Sequence, residues 1–459
     1  MPAREKFNKI ILILGDVAIL YISLLLALTI RYGGLPTPKI WNAHLIPFAI
    51  IFFIWIVIFY IAGLYDPAKF ISAKEMQKQI IWAMEFAGII ALAAFYLIPY
   101  FLITPKTNLF LDLIITLLLL IIWRRNFLMW LIKARKINIL FFGLSKDIAQ
   151  FISHIAKNPQ LGYHIAAIMK LPEENGGTYD IPSEIPAFNF DHNLTDLIKN
   201  KGVSLIVASS SIKQNQEIIR MFYEILPLRV SIVDFPRFYE ELFGKVPVSL
   251  ITESWFLENL MELNKGAFET IKRWSDIILA IVLGTATIII TPLIALLIKI
   301  DSRGPVFYSQ KRIGKDGKIF EIIKFRSMVQ NAEQGEAKWA MEKDGRVTKF
   351  GGILRKTRID ELPQLWNVLK GELSFVGPRP ERPEFVEMLK KEIPHYAMRH
   401  IVKPGLSGWA QINFPYGASV EDSMEKLQYD LYYIKNRSLP LEFSIYLKTI
   451  ATVIRRQGR

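Results

Sequence analysis

An adjacent acidic pair, Asp360 and Glu361, lies among cations in the stretch from Arg358 to Gly371. Pro363 is tolerated in a first helical turn and Gly371 is a natural stop, so this stretch predicts a short helix. The acid pair then lies at the helix N-terminus, where exposed N–H groups and the positive end of the helix dipole favour anions. We therefore expect an ionised Asp360 with a phosphate bound nearby. Neighbouring helical side chains point about 100° apart, so the two carboxylates suit two roles rather than one shared proton.

Four further motifs distinguish this pair from an acidic pair that only caps a helix. They are residues 310–314 (QKRIG), 324–328 (KFRSM), 373–380 (LSFVGPRP) and 404–413 (PGLSGWAQIN). Through these residues the chain resembles the monotopic phosphoglycosyl transferases, also called bacterial sugar transferases. Members of that family move a sugar 1-phosphate from a UDP-sugar to a polyprenyl phosphate. The resemblance covers roughly residue 272 to the C-terminus.

The resemblance implies a two-step reaction. The aspartate that matches Asp360 attacks the β-phosphorus of the UDP-sugar, expels UMP and carries the sugar phosphate. Polyprenyl phosphate then displaces it. The glutamate that matches Glu361 is expected to hold Mg²⁺, a hard ion suited to carboxylate and phosphate oxygens.

Attack by an anion on a diphosphate also requires Arg or Lys to neutralise charge. The resemblance implies that Arg355 receives the polyprenyl phosphate and that Arg379, fixed by a proline-rich turn, clamps a phosphate through its forked donors. Lys403 stands where many relatives have arginine, which replaces a two-pronged donor with a point charge. Three more residues match family positions without a defined role: Gln310, Arg312 and Lys324.

The composition is that of a membrane protein. Of 459 residues, 52% are hydrophobic, and the mean hydropathy is +0.27. The formal net charge is +14, but the cations flank apolar segments, so lipid headgroups and phosphorylated substrates explain them better than nucleic acid. The absence of cysteine excludes disulfides, thiolate catalysis and cysteine-ligated metals. The six histidines form no closely spaced pair typical of a metal site.

Four apolar segments open the chain at residues 10–30, 46–64, 80–97 and 109–123, each near the ~20 residues that cross a bilayer. We predict a four-helix transmembrane bundle within residues 1–135. No small-residue cleavage site follows the first segment, so we expect a retained helix rather than a signal peptide.

Cations cluster before the first segment, after the second and after the fourth. They are Arg4, Lys6, Lys9, Lys69, Lys74, Lys78, Arg124, Arg125, Lys133, Arg135 and Lys136. The positive-inside rule therefore places the N-terminus and everything after Trp123 in the cytoplasm. Three acids, Asp16, Glu85 and Asp112, fall in or beside these segments, where an ionisable group can mark a transport path. With no cation near mid-membrane, we expect interhelical hydrogen bonding or interfacial placement instead.

Residues 136–250 alternate short apolar strands with helices, which is typical of a small parallel α/β domain. We expect strands at 137–142, 164–169, 204–208 and 229–233 and helices near 147–157 and 214–225. The first turn, Gly143 to Lys146, lacks the full G-x-G-x-x-G, and no acid ends the second strand. We predict a degenerate Rossmann-like domain for regulation or assembly, including homo-oligomers through the N-terminal half. Nucleotide binding is the alternative. Similar domains follow four membrane helices in many long members of the family.

A fifth apolar segment at about 275–300 opens the predicted catalytic domain, residues 251–459, which we expect to be α-rich. Cations bracket both of its ends, so both ends are expected in the cytoplasm. Thr291 and Pro292 supply a break, because proline removes a backbone donor and kinks a helix. We predict a re-entrant membrane helix rather than a spanning one, as the family resemblance also implies.

The full expectation is a transferase of the bacterial inner membrane that starts polysaccharide assembly from a UDP-hexose. Two other classes fit less well. An NAD-dependent dehydratase needs a Tyr-x-x-x-Lys base. Four residues after Tyr239 the chain has Phe243, and four residues after Tyr433 it has Arg437, so neither tyrosine has the required lysine. A membrane scaffold needs neither the acid pair nor the Arg379 turn. The donor sugar is not encoded in any of these motifs.

Overall fold

The computed structural model describes residues 3–65, 73–97, 106–133, 136–171, 179, 181–190, 193–209, 215–260, 266–330, 345–414, 417 and 419–454. The chain forms two compact units, Met1–Phe238 and Tyr239–Arg459. Of the cations used for orientation, Lys69 and Arg135 lie outside the described residues. The predicted boundaries at 135/136 and 250/251 remain predictions.

The first unit begins with four long helices. They are α1 (Ala3–Tyr32), α2 (Pro38–Ile61), α3 (Ala73–Leu97) and α4 (Lys106–Lys133). Each is long and apolar enough to cross a membrane. Leu24, Trp55, Ala87 and Leu120, one from each helix, are buried in a shared apolar core. The four apolar segments read from the sequence are therefore helices that pack on one another.

Hydrogen bonds join buried polar groups between these helices. Arg124 donates from Nη2 to Asp16 Oδ2 at 2.5 Å and from Nη1 to the carbonyl of Leu64 at 2.5 Å. Ser23 Oγ lies 2.6 Å from Asp112 Oδ1. The expected interhelical hydrogen bonding is confirmed for Asp16 and Asp112. The expectation that Asp16 has no cationic partner was wrong, because α4 continues past Trp123 and buries Arg124, which the sequence reading had assigned to a loop.

A five-stranded parallel sheet follows in the first unit. Its strands are β1 (Ile137–Phe142), β2 (Tyr163–Lys170), β3 (Ala187–Asn189), β4 (Leu205–Ala208) and β5 (Ser231–Asp234). Its helices are α5 (Lys146–Lys157), α6 (Leu194–Lys201) and α7 (Gln216–Glu224), and the next helix, α8 (Phe235–Phe243), begins in the first unit and ends in the second. The strand order is β3-β2-β1-β4-β5, all parallel, which is the order of a Rossmann-like sheet. The predicted parallel α/β fold is confirmed.

The second unit is mostly helical, with two small sheets. Its helices are α9 (Glu253–Asn259), α10 (Gly266–Asp301), α11 (Lys349–Thr357), α12 (Leu365–Lys370), α13 (Pro383–Glu392), α14 (Trp409–Asn413), α15 (Val420–Asn436) and α16 (Leu439–Ile454). Strands β6 (Phe307–Ile313) and β7 (Ile319–Phe325) pair antiparallel, and β8 (Ser374–Val376) and β9 (Gly405–Ser407) pair parallel. The core of this unit includes Val246 and Val248, so it begins before α9.

Helix α10 is the fifth helix that is long and apolar enough to cross a membrane, and it remains helical through Pro292. Its first half carries Ala280, buried in a cluster with Phe320 of β7. Its second half carries Ile294, buried in a cluster with Phe325 of the same strand. Ala280 and Ile294 therefore belong to two separate buried clusters, each of which also contains a residue of β7.

Hydrogen bonds also hold the two ends of α10. Arg273 donates to the carbonyls of Val368 and Leu369 in α12, at 2.6 and 2.7 Å. At the other end, Asp301 Oδ2 accepts the N–H of Phe350 in α11 at 3.0 Å. Large apolar side chains between these ends remain exposed, including Ile288, Ile289 and Leu293.

Candidate active site

The acid pair lies in a 3-10 turn, Ile359–Gln364, that leads directly into α12. Arg358 before the turn is left-handed, with φ 60°, and Pro363 within it has no N–H to donate. Gly371 ends α12 with φ 85°, and its N–H points to the carbonyls of Asn367 and Val368. The predicted stop at Gly371 is thus confirmed. The pair precedes the α-helix instead of forming its first turn.

Asn367 fixes this segment against the edge of β7. Its Nδ2 donates to the carbonyl of Glu321 at 2.7 Å, and its Oδ1 accepts the N–H of Ile323 at 3.3 Å. The side chain is 1% exposed. Its two bonds to the backbone of β7 take the place of those that a neighbouring strand would make. Sequence reasoning missed Asn367, whose only signal was a polar residue between the apolar Trp366 and Val368.

Three cations surround one oxygen of Glu361. Arg379 Nη2 lies 2.6 Å from Glu361 Oε1, Lys324 Nζ lies 3.4 Å away and Arg358 Nη1 lies 3.7 Å away. Burial by itself raises the pKa of Glu361, but the three cations together outweigh burial and hold that pKa well below its usual range. Glu361 is therefore ionised at neutral pH. Sequence reasoning missed Arg358 as a partner of this carboxylate.

Asp360 has a different environment from its neighbour. It is 7% exposed, and its buried Oδ1 has no hydrogen-bond partner. Burial raises the pKa of Asp360 to about 6, and the negative charge of Glu361 contributes to the rise. Lys324, Arg358 and Arg355 act in the opposite direction and favour the Asp360 anion, so the expectation that Asp360 is ionised at neutral pH stays a prediction. A desolvated carboxylate without donors is a better nucleophile than a solvated one.

The loop that carries Arg379 is held by close backbone contacts between β8 and β9. The N–H of Gly377 donates to Ser407 at 2.8 Å, and the N–H of Gly405 donates to the carbonyl of Pro378 at 3.0 Å. A Cβ on Gly377 would lie 2.4 Å from the carbonyl oxygen of Lys403. The glycines of the 373–380 and 404–413 motifs therefore allow these two backbone segments to come into contact. This contact places the Arg379 side chain against Glu361.

The β6–β7 hairpin brings three more predicted residues to this place. Gln310 Oε1 accepts from Arg312 Nη2 at 2.7 Å, and Arg312 Nη1 donates to the carbonyl of Pro380 at 3.1 Å. Lys324, on the paired strand, contacts Glu361. Burial lowers the pKa of both Arg312 and Lys324, while nearby carboxylates, Glu361 among them, favour their charged forms. The site is thus a cluster of cations around one acid pair, and two of these cations, Arg312 and Lys324, are desolvated.

The two remaining cations differ in position. Arg355 lies in the last turn of α11, and its charge lowers the pKa of Asp360. Lys403 lies at the far end of α12, where its Nζ and Arg273 Nη2 each come within 3.5 Å of the position that a Cβ on Gly371 would occupy. Arg355 therefore belongs to the acid-pair cluster, and Lys403 faces a separate polar recess at the start of α10.

The residues present suit a metal ion that takes most of its ligands from a substrate. Among the described residues, no group of three or more His, Cys, Asp or Glu side chains converges on one point. Asp360 and Glu361 do supply two adjacent carboxylates, and Asp360 Oδ1 has no donor. Mg²⁺ commonly binds through one or two carboxylates together with substrate phosphates and water, so the pair fits Mg²⁺ bound to a diphosphate.

The second unit of the chain is similar to a known family of proteins. Residues 267–456 match the family model described as bacterial sugar transferase. An undecaprenyl-phosphate glucose-1-phosphate transferase of Klebsiella pneumoniae that uses UDP-glucose is 32% identical over 336 residues, which are 70% of this chain and 68% of the relative. The chain belongs to the bacterial sugar transferase family.

Two further relatives differ in the sugar that their names give. A UDP-N-acetylgalactosamine-undecaprenyl-phosphate N-acetylgalactosaminephosphotransferase of Aeromonas hydrophila is 47% identical over 218 residues, 47% of this chain and 50% of the relative. An undecaprenyl-phosphate galactose phosphotransferase of Salmonella typhimurium is 36% identical over 213 residues, 43% of each chain. The chain therefore matches about half the length of these two relatives.

Proposed function

We propose that the protein transfers a sugar 1-phosphate from a UDP-sugar to a polyprenyl phosphate and releases UMP. The single observation that carries this proposal is the asymmetric acid pair. A buried Asp360, whose Oδ1 has no hydrogen-bond partner among the described residues, stands beside a Glu361 that contacts three cations. The named activities of the relatives support the same reaction.

In the first step, Asp360 attacks the β-phosphorus of the donor. A bond forms between a carboxylate oxygen of Asp360 and that phosphorus, and the bond to the UMP oxygen breaks. UMP leaves with the electron pair, and the sugar phosphate remains on Asp360 as an acyl phosphate. Arg379 is 35% exposed on its side chain, so it can contact a donor phosphate while it also contacts Glu361.

In the second step, an oxygen of polyprenyl phosphate attacks the same phosphorus and the Asp360 carboxylate leaves. The product is a polyprenyl diphosphate sugar, and the enzyme returns to its starting state. Arg355 is the cation that we assign to the acceptor phosphate, because it acts electrostatically on Asp360 from α11. Mg²⁺ held by Glu361 would neutralise the charge of the donor diphosphate.

We also propose that α10 enters the membrane without crossing it. Its start is hydrogen-bonded to α12 and its end to α11, the two helices that flank the acid-pair turn, whereas the hydrocarbon core of a bilayer is ~30 Å thick. A straight crossing would place the two ends on opposite sides of that core. Pro292 removes one backbone donor near the middle of the exposed apolar stretch, which favours a bend there. The acid pair then faces the cytoplasm, where UDP-sugars are made.

The donor is a hexose or an N-acetylhexosamine, since the names of the relatives include glucose, galactose and N-acetylgalactosamine. UMP release should be measured with Mg²⁺, undecaprenyl phosphate and a panel of the four UDP-linked forms of glucose and galactose with and without the N-acetyl group. Wild-type protein and the Glu387→Gln control, an exposed acid on α13, should release UMP with at least one donor. Asp360→Asn should release none. Activity in Asp360→Asn equal to the control would reject the proposal.

A further inference from the structure

The loop that presents Arg379 is oriented through its carbonyl groups. Pro378 and Pro380 have no N–H, so they cannot donate to neighbouring strands. Instead, three successive carbonyls accept from three different elements. Gly405 N–H bonds to Pro378 at 3.0 Å, Arg399 Nη2 bonds to Arg379 at 2.9 Å and Arg312 Nη1 bonds to Pro380 at 3.1 Å.

Arg399 is the central donor of these three and is itself held rigidly. It lies in the 3-10 turn Tyr396–Ile401 and is 5% exposed. Its Nε and Nη2 lie 3.0 and 2.8 Å from Asp430 Oδ2, and its Nη1 donates to the hydroxyl of Tyr396 at 2.7 Å. Asp430 is 1% exposed on α15. The guanidinium therefore has one orientation, and in that orientation it reaches the Arg379 carbonyl.

We propose that Arg399 is a positioning residue for phosphate transfer. It holds the main chain of Arg379 so that the Arg379 side chain remains 2.6 Å from Glu361 Oε1. Arg399 contacts neither Asp360 nor Glu361 among the described contacts, and it acts only through Arg379. This inference rests on the proposed transfer reaction, in which Arg379 also contacts the donor phosphates.

A competing explanation is that Arg399 only stabilises the core through Asp430. The two explanations differ in what happens once Arg379 is gone. If Arg399 acts through Arg379, its replacement matters only while Arg379 is present. If Arg399 only stabilises the fold, its replacement lowers activity by the same factor in either background.

The test is a double-mutant cycle on full-length protein in lipid nanodiscs, with radiolabelled UDP-sugar and UMP release as the readout. The variants are Arg399→Lys, Arg379→Ala and the double variant, with Arg303→Lys as a control at an exposed arginine. Lysine keeps the charge near Asp430 but cannot span Asp430, Tyr396 and the Arg379 carbonyl together. We expect Arg399→Lys to lower kcat about 10–100-fold with a smaller change in KM, as for a misplaced transition-state contact.

In the Arg379→Ala background, we expect Arg399→Lys to change kcat by less than about 2-fold. Equal factors in the two backgrounds would overturn the inference. If Arg399→Lys does not fold, Tyr396→Phe and Asp430→Asn take its place in the same cycle, since each removes one group that orients Arg399. Absence of UMP release from wild-type protein would instead reject the proposed function, so the two failures are distinguishable.

Discussion

Arg379 Nη2 lies 2.6 Å from Glu361 Oε1, although 18 residues separate them in the chain. This contact makes two adjacent carboxylates unequal. Glu361 gains a low pKa from its cations, whereas Asp360 is left buried with an unpaired oxygen. In the proposed reaction, Glu361 would remain a stable anion while Asp360 attacks phosphorus.

The pH dependence of the reaction should report the ionisation of Asp360. In the proposed mechanism only the ionised form of Asp360 attacks phosphorus, and burial raises the pKa of Asp360 to about 6. We expect kcat/KM for the donor to fall as pH decreases through about 6, rather than near pH 4 as for an ordinary aspartate. In Glu361→Gln, loss of the neighbouring negative charge should move the acid limb of the residual activity to lower pH. An acid limb unmoved in Glu361→Gln would contradict the assignment.

Two neighbouring glycines of α11 should differ sharply on replacement by alanine. A Cβ on Gly351 would lie 2.1 Å from the carbonyl oxygen of Ser327, whereas the nearest atom to a Cβ on Gly352 is 3.9 Å away. Gly351→Ala should lower both the melting temperature and UMP release, because α11 leads into the acid pair. Gly352→Ala should be tolerated or stabilise by up to about 1 kcal/mol through helix propensity. Thermal unfolding in detergent measures the melting temperatures of the two variants. Equal melting temperatures would refute the predicted difference between Gly351 and Gly352.

A fragment that contains the whole hydrophobic core of the second unit should be active without the first unit. Val246 and Val248 are buried there with Leu427 and Ile434 of α15. We expect a fragment of residues 239–459 to fold, bind membranes through α10 and release UMP. A fragment of residues 260–459 lacks these two valines and should melt at a lower temperature. A folded, membrane-bound 239–459 fragment without activity would show that the first unit contributes to the site.

The non-crossing arrangement of α10 can be tested by labelling, because the chain has no cysteine. Single cysteines in place of Glu258 and Lys318, both exposed and on either side of α10, should react with an impermeant maleimide from the same side of the membrane. We expect both cysteines to react when the reagent is added to inverted vesicles, whose outer face is the cytoplasmic face of the membrane. Reaction of the two positions from opposite sides would establish a crossing helix.

Much of the fold could be read from local sequence pattern. Apolar segment length indicated α1 to α4, and short apolar strands between helices indicated β1 and β4, because these signals depend only on neighbours in the chain. The acid pair and Arg379 were found through motifs. Asn367 and Arg399 were not, since a buried polar residue is recognisable only once its distant partners are in place. The pairing of Asp16 with Arg124 was missed for the same reason, as 108 residues separate them.

The central claim is that Asp360 carries the sugar phosphate. The most direct measurement is the intact mass of the protein after brief mixing with Mg²⁺ and the UDP-sugar that supports turnover, without polyprenyl phosphate, followed by acid quenching. We predict an added mass of one sugar phosphate, released UMP in equal amount, and a peptide adduct at Asp360 that is absent from Asp360→Asn and discharged by added undecaprenyl phosphate. Turnover without any adduct, with UMP appearing only after the acceptor is added, would contradict the covalent mechanism.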